Sequence, residues 1–179
     1  MSYKYDAAFS FLTQNQTVAE RLHGLISPAF TSFLYTERQP EIAGRDGELA
    51  YNDVFAKQAR VVVILSRKGW GDTSFTQYER IAIQNRAYSD GYGFVVLIPM
   101  DQPATIPVWI PKNYVWLDYY RFGDQAAAAV IAARIREAGG ELHEETPEEM
   151  LARANRDLAM QRESKDLLAL TASRWHGRK

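Results

Sequence analysis

The chain contains no cysteine, which excludes disulfide bonds, thiolate catalysis and cysteine-ligated zinc. Histidine is also scarce: His23, His143 and His176 lie far apart in the sequence and form no metal-ligand pair. We therefore expect no resident metal, and we interpret His23 as a surface residue in the middle of a helix. The net charge of −1 provides no basic field that would favour binding to nucleic acid or to an anionic membrane.

The glycine-rich nucleotide-binding motifs are missing as well. No G-x-x-x-x-G-K-[ST] sequence occurs, which excludes a P-loop, and the turn Leu12–Asn15 after the first predicted strand lacks the glycines of a dinucleotide fingerprint. No apolar run is long enough to span a bilayer, and the first residues lack the apolar core of a signal peptide. A cytoplasmic protein without a membrane partner is therefore the default expectation.

Continuous apolar runs predict the strands of a parallel sheet. Val61–Leu65 and Phe94–Ile98 contain no polar residue, as expected of strands covered on both faces. Further strands are predicted at Tyr5–Phe11, Phe33–Tyr35 and Val115–Leu117. Helical patterns alternate with these runs, so we predict an α/β, flavodoxin-like fold with five parallel strands in the order 2-1-3-4-5 and helices on both faces.

The sequence changes character after Gly139-Gly140. Residues 1–140 hold all the predicted strands, whereas residues 141–179 begin with an acidic cluster. The segment Thr146-Pro-Glu-Glu149 then has capping-box spacing and proline at the first helical position. We predict a domain over 1–140 and a C-terminal helical extension or linker over 141–179. Packing of the extension on the domain, an oligomer contact and a link to a further domain are all open at this point.

The predicted topology places one glutamate at the expected ligand site. In this strand order, ligands bind where strands 1 and 3 diverge, at their carboxyl ends. Those ends are Ser10-Phe11 and Ser66–Lys68, and the loop after strand 3 leads to Trp70 and to Glu79, which we place in the first turn of a helix. Two interpretations of Glu79 are open: a catalytic carboxylate, or the last residue of a capping box that starts at Thr76.

Four segments, taken in order, resemble the boxes of a Toll/interleukin-1 receptor (TIR) domain. Tyr5–Phe11 resembles the first box, Phe33–Gly47 resembles the second strand with the BB loop that follows it, and Val61–Ser66 resembles the third strand. Phe75-Thr-Gln-Tyr-Glu79 resembles the W-x-x-x-E motif, with Phe75 in place of the tryptophan. The resemblance covers roughly residues 3–138 and is nearest to bacterial TIR domains, many of which cleave NAD+ as antiphage defence effectors.

The resemblance implies an NAD+ glycohydrolase or cyclase in which Glu79 is catalytic and NAD+ is a substrate rather than a cofactor. Nicotinamide leaves as a neutral molecule, so a single carboxylate can act on the oxocarbenium-like transition state without a general acid. The family also implies activation by self-association through TIR–TIR contacts and a fused or partner sensor domain. It implies no direct contact with nucleic acid.

Seven further residues are candidates for binding the substrate. The rings among them could stack on nicotinamide or adenine, and the polar ones flank the predicted crevice or the BB loop. For the rings Phe11 and Phe75 the alternative is a place in the core, for Ser10 a strand end, and for the BB-loop candidates a solvated loop. Trp70, between two glycines, is expected to be too exposed for a routine core residue. The candidates are Ser10, Phe11, Tyr35, Glu37, Asp46, Trp70 and Phe75.

Two non-enzymatic functions compete with this interpretation. The first is a TIR protein–protein interaction module in signalling that pairs through the BB loop, although Ala43–Gly47 lacks the family's Arg-Pro-Gly sequence. The second is a nucleotide sensor that binds without turnover. A scaffold needs a carboxylate at Glu79 only as a helix cap, whereas an enzyme needs its negative charge. If the protein is an enzyme, Glu79→Gln should abolish NAD+ cleavage and change the free energy of unfolding by no more than about 1 kcal/mol.

Overall fold

The computed structural model describes residues 3–37 and 52–142 and, further along the chain, residues 147, 150, 151, 154, 155, 158 and 162. The chain divides into two compact units, Met1–His143 and Glu144–Lys179. The described residues of the second unit are helical. Within the described parts of the chain, no helix combines the length and the apolarity needed to cross a membrane.

Strands and helices alternate along the first unit. The elements are β1 (Tyr5–Phe11), a 3-10 turn (Thr13–Asn15), α1 (Gln16–Ile26), β2 (Ser32–Phe33), a π-helical turn (Val54–Gln58), β3 (Ala59–Ser66), α2 (Ser74–Asp90), β4 (Val95–Pro99) and α3 (Tyr119–Glu137). Helix α3 is interrupted at Gly123, whose φ of 74° is not helical. The predicted α/β class is confirmed.

The described strands form one parallel sheet in the order β2-β1-β3-β4. Along β1 and β3 the register pairs Tyr5 with Ala59 and Phe11 with Leu65, so the two strands end side by side. In the sheet β2 lies on one side of β1 and β3 lies on the other, so the chain connections leave β1 in opposite directions. The topological switch point, where ligands bind in such sheets, therefore lies between the carboxyl ends of β1 and β3.

Strand β3 is buried on both faces, as its unbroken apolar run predicted. Val61, Val63 and Leu65 pack into the core that contains residues of α1 and α3, whereas Val62 and Ile64 pack into the core that contains residues of α2. None of these five side chains is more than 1% exposed. The second apolar run, residues 94–98, is also buried, with β4 starting one residue into it. Helical layers on both faces explain why neither run alternates with polar residues.

The first strand has its predicted bounds, whereas the two predicted three-residue strands differ from the prediction. The second strand is Ser32–Phe33 rather than Phe33–Tyr35. The predicted fifth strand, Val115–Leu117, is not a strand of the sheet in the part of the chain that the structure describes: its last amide donates to the carbonyl of Leu97 at 3.0 Å, but its first side chain is 88% exposed. One backbone hydrogen bond does not make a ladder. Most of the predicted BB loop, residues 38–47, lies outside the described residues.

Candidate functional site

The helix that carries Glu79 begins earlier than the capping-box pattern predicted. Thr73 is the N-cap, and its side chain accepts a hydrogen bond from the amide of Thr76 at 3.3 Å. Helix α2 therefore starts at Ser74, which makes Glu79 its sixth residue, in the second turn. The amides that need a cap belong to the first turn. Both the capping interpretation and the placement of Glu79 in the first turn are wrong.

Glu79 lies on the face of α2 that packs against the sheet. The buried residues of this helix recur at helical spacing along one stripe. They are Thr76, Glu79, Ala82, Ile83, Arg86 and Ala87. Glu79 itself is only 6% exposed. The helix thus carries a carboxyl group at a position where a packed helix normally has an apolar side chain.

The polar partner of this carboxyl group comes from the end of β1. Ser10 is fully buried, and its hydroxyl donates to Oε2 of Glu79 at 2.5 Å. Nε1 of Trp70 donates to the same Ser10 oxygen at 2.9 Å. A hydrogen-bond chain therefore joins the loop after β3, the end of β1 and helix α2 at the topological switch point.

Burial without a countercharge makes Glu79 a weak acid. Desolvation raises the pKa of Glu79 to about 8, and the hydrogen bond from Ser10 opposes this effect in part. Among the described residues no cationic side chain is paired with Glu79; on the same helix, Arg80 and Arg86 donate to backbone carbonyls instead. Burying an unpaired acid is costly. A carboxyl group with a strongly perturbed pKa at the switch point of the sheet is a candidate functional residue.

Trp70 is buried, with 6% exposure, and the expectation that it would be exposed is wrong. Gly69 and Gly71 have φ angles of 88° and 87°, in the left-handed region, and turn the loop so that the ring between them faces inward. The amide of Gly71 donates to Oγ1 of Thr76 at 2.9 Å, and its carbonyl accepts from Nε of Arg80 at 3.0 Å. These contacts fasten the loop to α2.

A second tryptophan, which the sequence did not single out, packs beside the first. The ring centroids of Trp70 and Trp109 are 6.2 Å apart, with the planes inclined by 34°. Nε1 of Trp109 is buried and has no hydrogen-bond partner among the described residues. Trp109 also stacks on Tyr92, with centroids 6.1 Å apart. The one available signal was an aromatic residue between Pro107 and Pro111, in a segment without helical or strand periodicity.

The candidate rings other than Trp70 do not join this chain of contacts. Phe11 belongs to the core on the α1 and α3 side of the sheet, opposite the face on which Ser10 meets α2, and its ring lies 5.8 Å from that of Tyr35. The core alternative is therefore correct for Phe11. Phe75, in the first turn of α2, is 64% exposed, so the core alternative is wrong for that residue.

His23 is buried rather than on the surface, contrary to the prediction. Its Nδ1 hydrogen-bonds with Oγ of Ser32 at 2.7 Å, and its Nε2 lies 3.1 Å from a carboxylate oxygen of Glu37. Glu37 is thereby tied to α1 at the point where the predicted BB loop begins. Asp46, the remaining candidate, lies outside the described residues.

No family model matches the chain, and neither does any curated protein. No group of three or more His, Asp or Glu side chains within the described ranges could hold a metal ion. The functional interpretation therefore depends on the geometry around Glu79 and on the resemblance of the four sequence segments.

Proposed function

We propose that the α/β unit is a TIR domain that cleaves the nicotinamide–ribose bond of NAD+, as a hydrolase or a cyclase, with Glu79 as the catalytic residue. The observation that carries the proposal is the buried carboxyl group of Glu79, which serves no capping role and is hydrogen-bonded to Ser10 at the switch point of the sheet. The resemblance of Phe75–Glu79 to the W-x-x-x-E motif supports it. In this proposal Val115–Leu117 corresponds to the fifth strand of the family.

A single carboxylate is enough because of the leaving group. The nicotinamide of NAD+ is cationic and leaves with the bonding electron pair as a neutral molecule, so no proton has to be delivered to it. Positive charge develops on the ribosyl carbon instead, as in other glycosyl transfers. The carboxylate of Glu79 stabilises that charge in a site from which water is largely excluded. Attack by water then gives ADP-ribose and a proton, and attack by an adenine nitrogen gives a cyclic product.

This role predicts how activity depends on pH. The ionised carboxylate is the active form, and burial raises the pKa of Glu79 to about 8. Because kcat/KM reports the free enzyme, it should rise about tenfold per pH unit below that value and level off above it. The cationic nicotinamide favours the carboxylate in the bound state, so kcat should level off at a lower pH than kcat/KM.

The test is nicotinamide release from NAD+ by the wild type and by Glu79→Gln. Removal of one well-placed electrostatic group typically costs about 10²–10³ in rate. A matched control is Glu137→Gln, the same chemical change at an exposed carboxylate that pairs with Arg134 on α3. We expect the control to retain wild-type turnover. Wild-type turnover in Glu79→Gln would refute the proposed role.

We further propose that activity requires self-association through TIR–TIR contacts, with residues 141–179 connecting the domain to a fused or partner sensor in cytoplasmic antiphage defence. The family resemblance carries this part of the proposal. It predicts that nicotinamide release per protomer rises with protein concentration. A rate per protomer that stays constant across the concentration range would contradict it.

A non-enzymatic interaction module is the second candidate. The observation that favours it is the closure of the site: Glu79 and Trp70 are both 6% exposed. An interaction module needs no accessible carboxyl group. Self-association without release of nicotinamide, at any protein concentration, would favour this function over the enzyme.

A further inference from the structure

The hydrogen-bond chain that ends at Glu79 has a fixed direction. An indole N–H can only donate, so Trp70 donates and Oγ of Ser10 accepts, at 2.9 Å. The Ser10 hydroxyl has one proton of its own, and its other partner among the described residues is Oε2 of Glu79, at 2.5 Å. If Glu79 donated to Ser10 instead, the buried serine proton would have no acceptor in this chain of contacts. The indole N–H and the serine O–H therefore both have an acceptor only when Glu79 accepts the hydrogen bond from Ser10.

We propose that Trp70 is a positioning residue, whose indole N–H holds the Ser10 hydroxyl as a donor to Glu79 and thereby favours the ionised carboxylate. Consecutive hydrogen bonds polarise one another, so a Ser10 oxygen that accepts from the indole is a stronger donor to the carboxylate. The significance for catalysis rests on the proposed function, whereas the effect on the ionisation of Glu79 does not. Trp70 acts through Ser10, to which its indole N–H donates at 2.9 Å.

No charged side chain among the described residues competes with Ser10 for the carboxyl group. On α2, Arg80 donates to a carbonyl of the preceding loop and Arg86 to a carbonyl at the start of β3. In the loop after β3, Arg67 is paired with Asp101 at 3.3 Å and donates to the carbonyl of Met100. From β1 and β3, Ala8, Val62 and Ile64 contribute apolar side chains to this core, and the buried hydroxyl of Ser66 at the end of β3 donates to the carbonyl of Thr105 at 3.1 Å. A change in the strength of the Ser10 hydrogen bond should therefore change the titration of Glu79 directly.

The neighbouring tryptophan supplies a matched control. Trp109 packs against Trp70 in the same aromatic cluster, but within the described part of the chain its buried Nε1 has no hydrogen-bond partner. Trp70→Phe and Trp109→Phe both exchange an indole for a phenyl ring at this site. Only the first removes a hydrogen bond to Ser10, so a difference between the two variants reports the N–H and not the loss of packed area.

The experiment is a direct titration of the Glu79 carboxyl carbon by 13C NMR on the full chain with labelled glutamate, the signal being assigned by its absence in Glu79→Gln. The wild-type midpoint should lie near pH 8. We expect Trp70→Phe to raise it by about one pH unit, a tenfold change in the ionisation equilibrium. Ser10→Ala should raise it at least as far, and adding Trp70→Phe to Ser10→Ala should change it no further. Trp109→Phe should leave it unchanged.

An unchanged midpoint in folded Trp70→Phe, or equal shifts in Trp70→Phe and Trp109→Phe, would overturn the proposal. If Trp70→Phe does not fold, 3-benzothienylalanine at position 70 keeps the bicyclic shape and removes the N–H, and the same midpoints decide the question. The titration needs no turnover. A wild type that releases no nicotinamide would refute the proposed function and leave the positioning role standing, whereas an unchanged midpoint would refute the positioning role alone.

Discussion

Replacing Glu79 by glutamine should make the protein harder to unfold at alkaline pH, even though it removes the proposed catalytic group. Glutamine has the size of protonated glutamate and can accept the hydrogen bond from Ser10. It carries no ionisable proton. The side chain of the variant is therefore neutral at every pH. The variant does not lose the stability that the wild type loses when its buried carboxyl group has to ionise.

The sign and size follow from the pKa of Glu79, which burial raises from 4.5 to about 8. Below the ordinary value the group is protonated in both the folded and the unfolded chain. Between the two values the folded state keeps a proton that the unfolded state releases, so the free energy of unfolding falls as pH rises. At 1.36 kcal/mol per pH unit, the full pKa shift would lower the free energy of unfolding of the wild type by about 5 kcal/mol by pH 9. We expect the free energy of unfolding of Glu79→Gln to exceed that of the wild type by about 3–5 kcal/mol at this pH.

The assay is urea unfolding at pH 5, 7 and 9, followed by circular dichroism, for the wild type, Glu79→Gln and the control Glu137→Gln. The free energies of unfolding of the wild type and Glu79→Gln should differ least at pH 5. The excess stability of Glu79→Gln should increase from pH 5 to pH 7 and again to pH 9. Glu137→Gln should follow the wild type. A difference between wild type and Glu79→Gln that is the same at all three pH values would refute the reasoning. The earlier expectation of a change no larger than about 1 kcal/mol assumed a helix cap, which the start of α2 at Ser74 excludes.

The remaining predictions concern the fold. A chain that ends at Gly140 should keep a cooperative thermal transition in calorimetry, because the sheet and both cores lie within Met1–His143; a broad, non-cooperative melt would contradict this. Arg86→Leu should lower the free energy of unfolding by about 2–4 kcal/mol in urea titrations, because the buried guanidinium donates to the carbonyls of Ala59 at 2.6 Å and Arg60 at 3.2 Å and both would lose this partner. A loss below about 1 kcal/mol would show that these carbonyls find other donors.

The sequence was most informative where burial leaves a continuous pattern. The run Val61–Leu65 predicted a doubly covered strand, and the strand order that followed from it led to Glu79 as the residue at the switch point. The helix start was predicted wrongly because Thr73 and Thr76 are both competent caps, and local sequence does not choose between them. Ala82, Ile83 and Ala87 follow Glu79 at helical spacing, and that stripe could have shown that its side chain faces the sheet.

The surroundings of Glu79 were harder to predict because they are tertiary. Two glycines beside Trp70 suggested an exposed loop, whereas their positive φ angles fold the ring inward. Trp109 reaches the site from a segment with no periodic pattern, and His23 is buried by a contact with Ser32 on a two-residue strand. Contacts between residues far apart in sequence leave no pattern in the local sequence, so they can be identified only from the folded structure.

The central claim is tested most directly by incubating the concentrated full chain with NAD+ at pH 9, where Glu79 is largely ionised, and resolving the products by chromatography. The wild type should release nicotinamide together with an equal amount of ADP-ribose or cyclic ADP-ribose. Glu79→Gln should release them about 10²–10³ times more slowly. Absence of nicotinamide from the wild-type reaction, or equal release by the two proteins, would contradict the account.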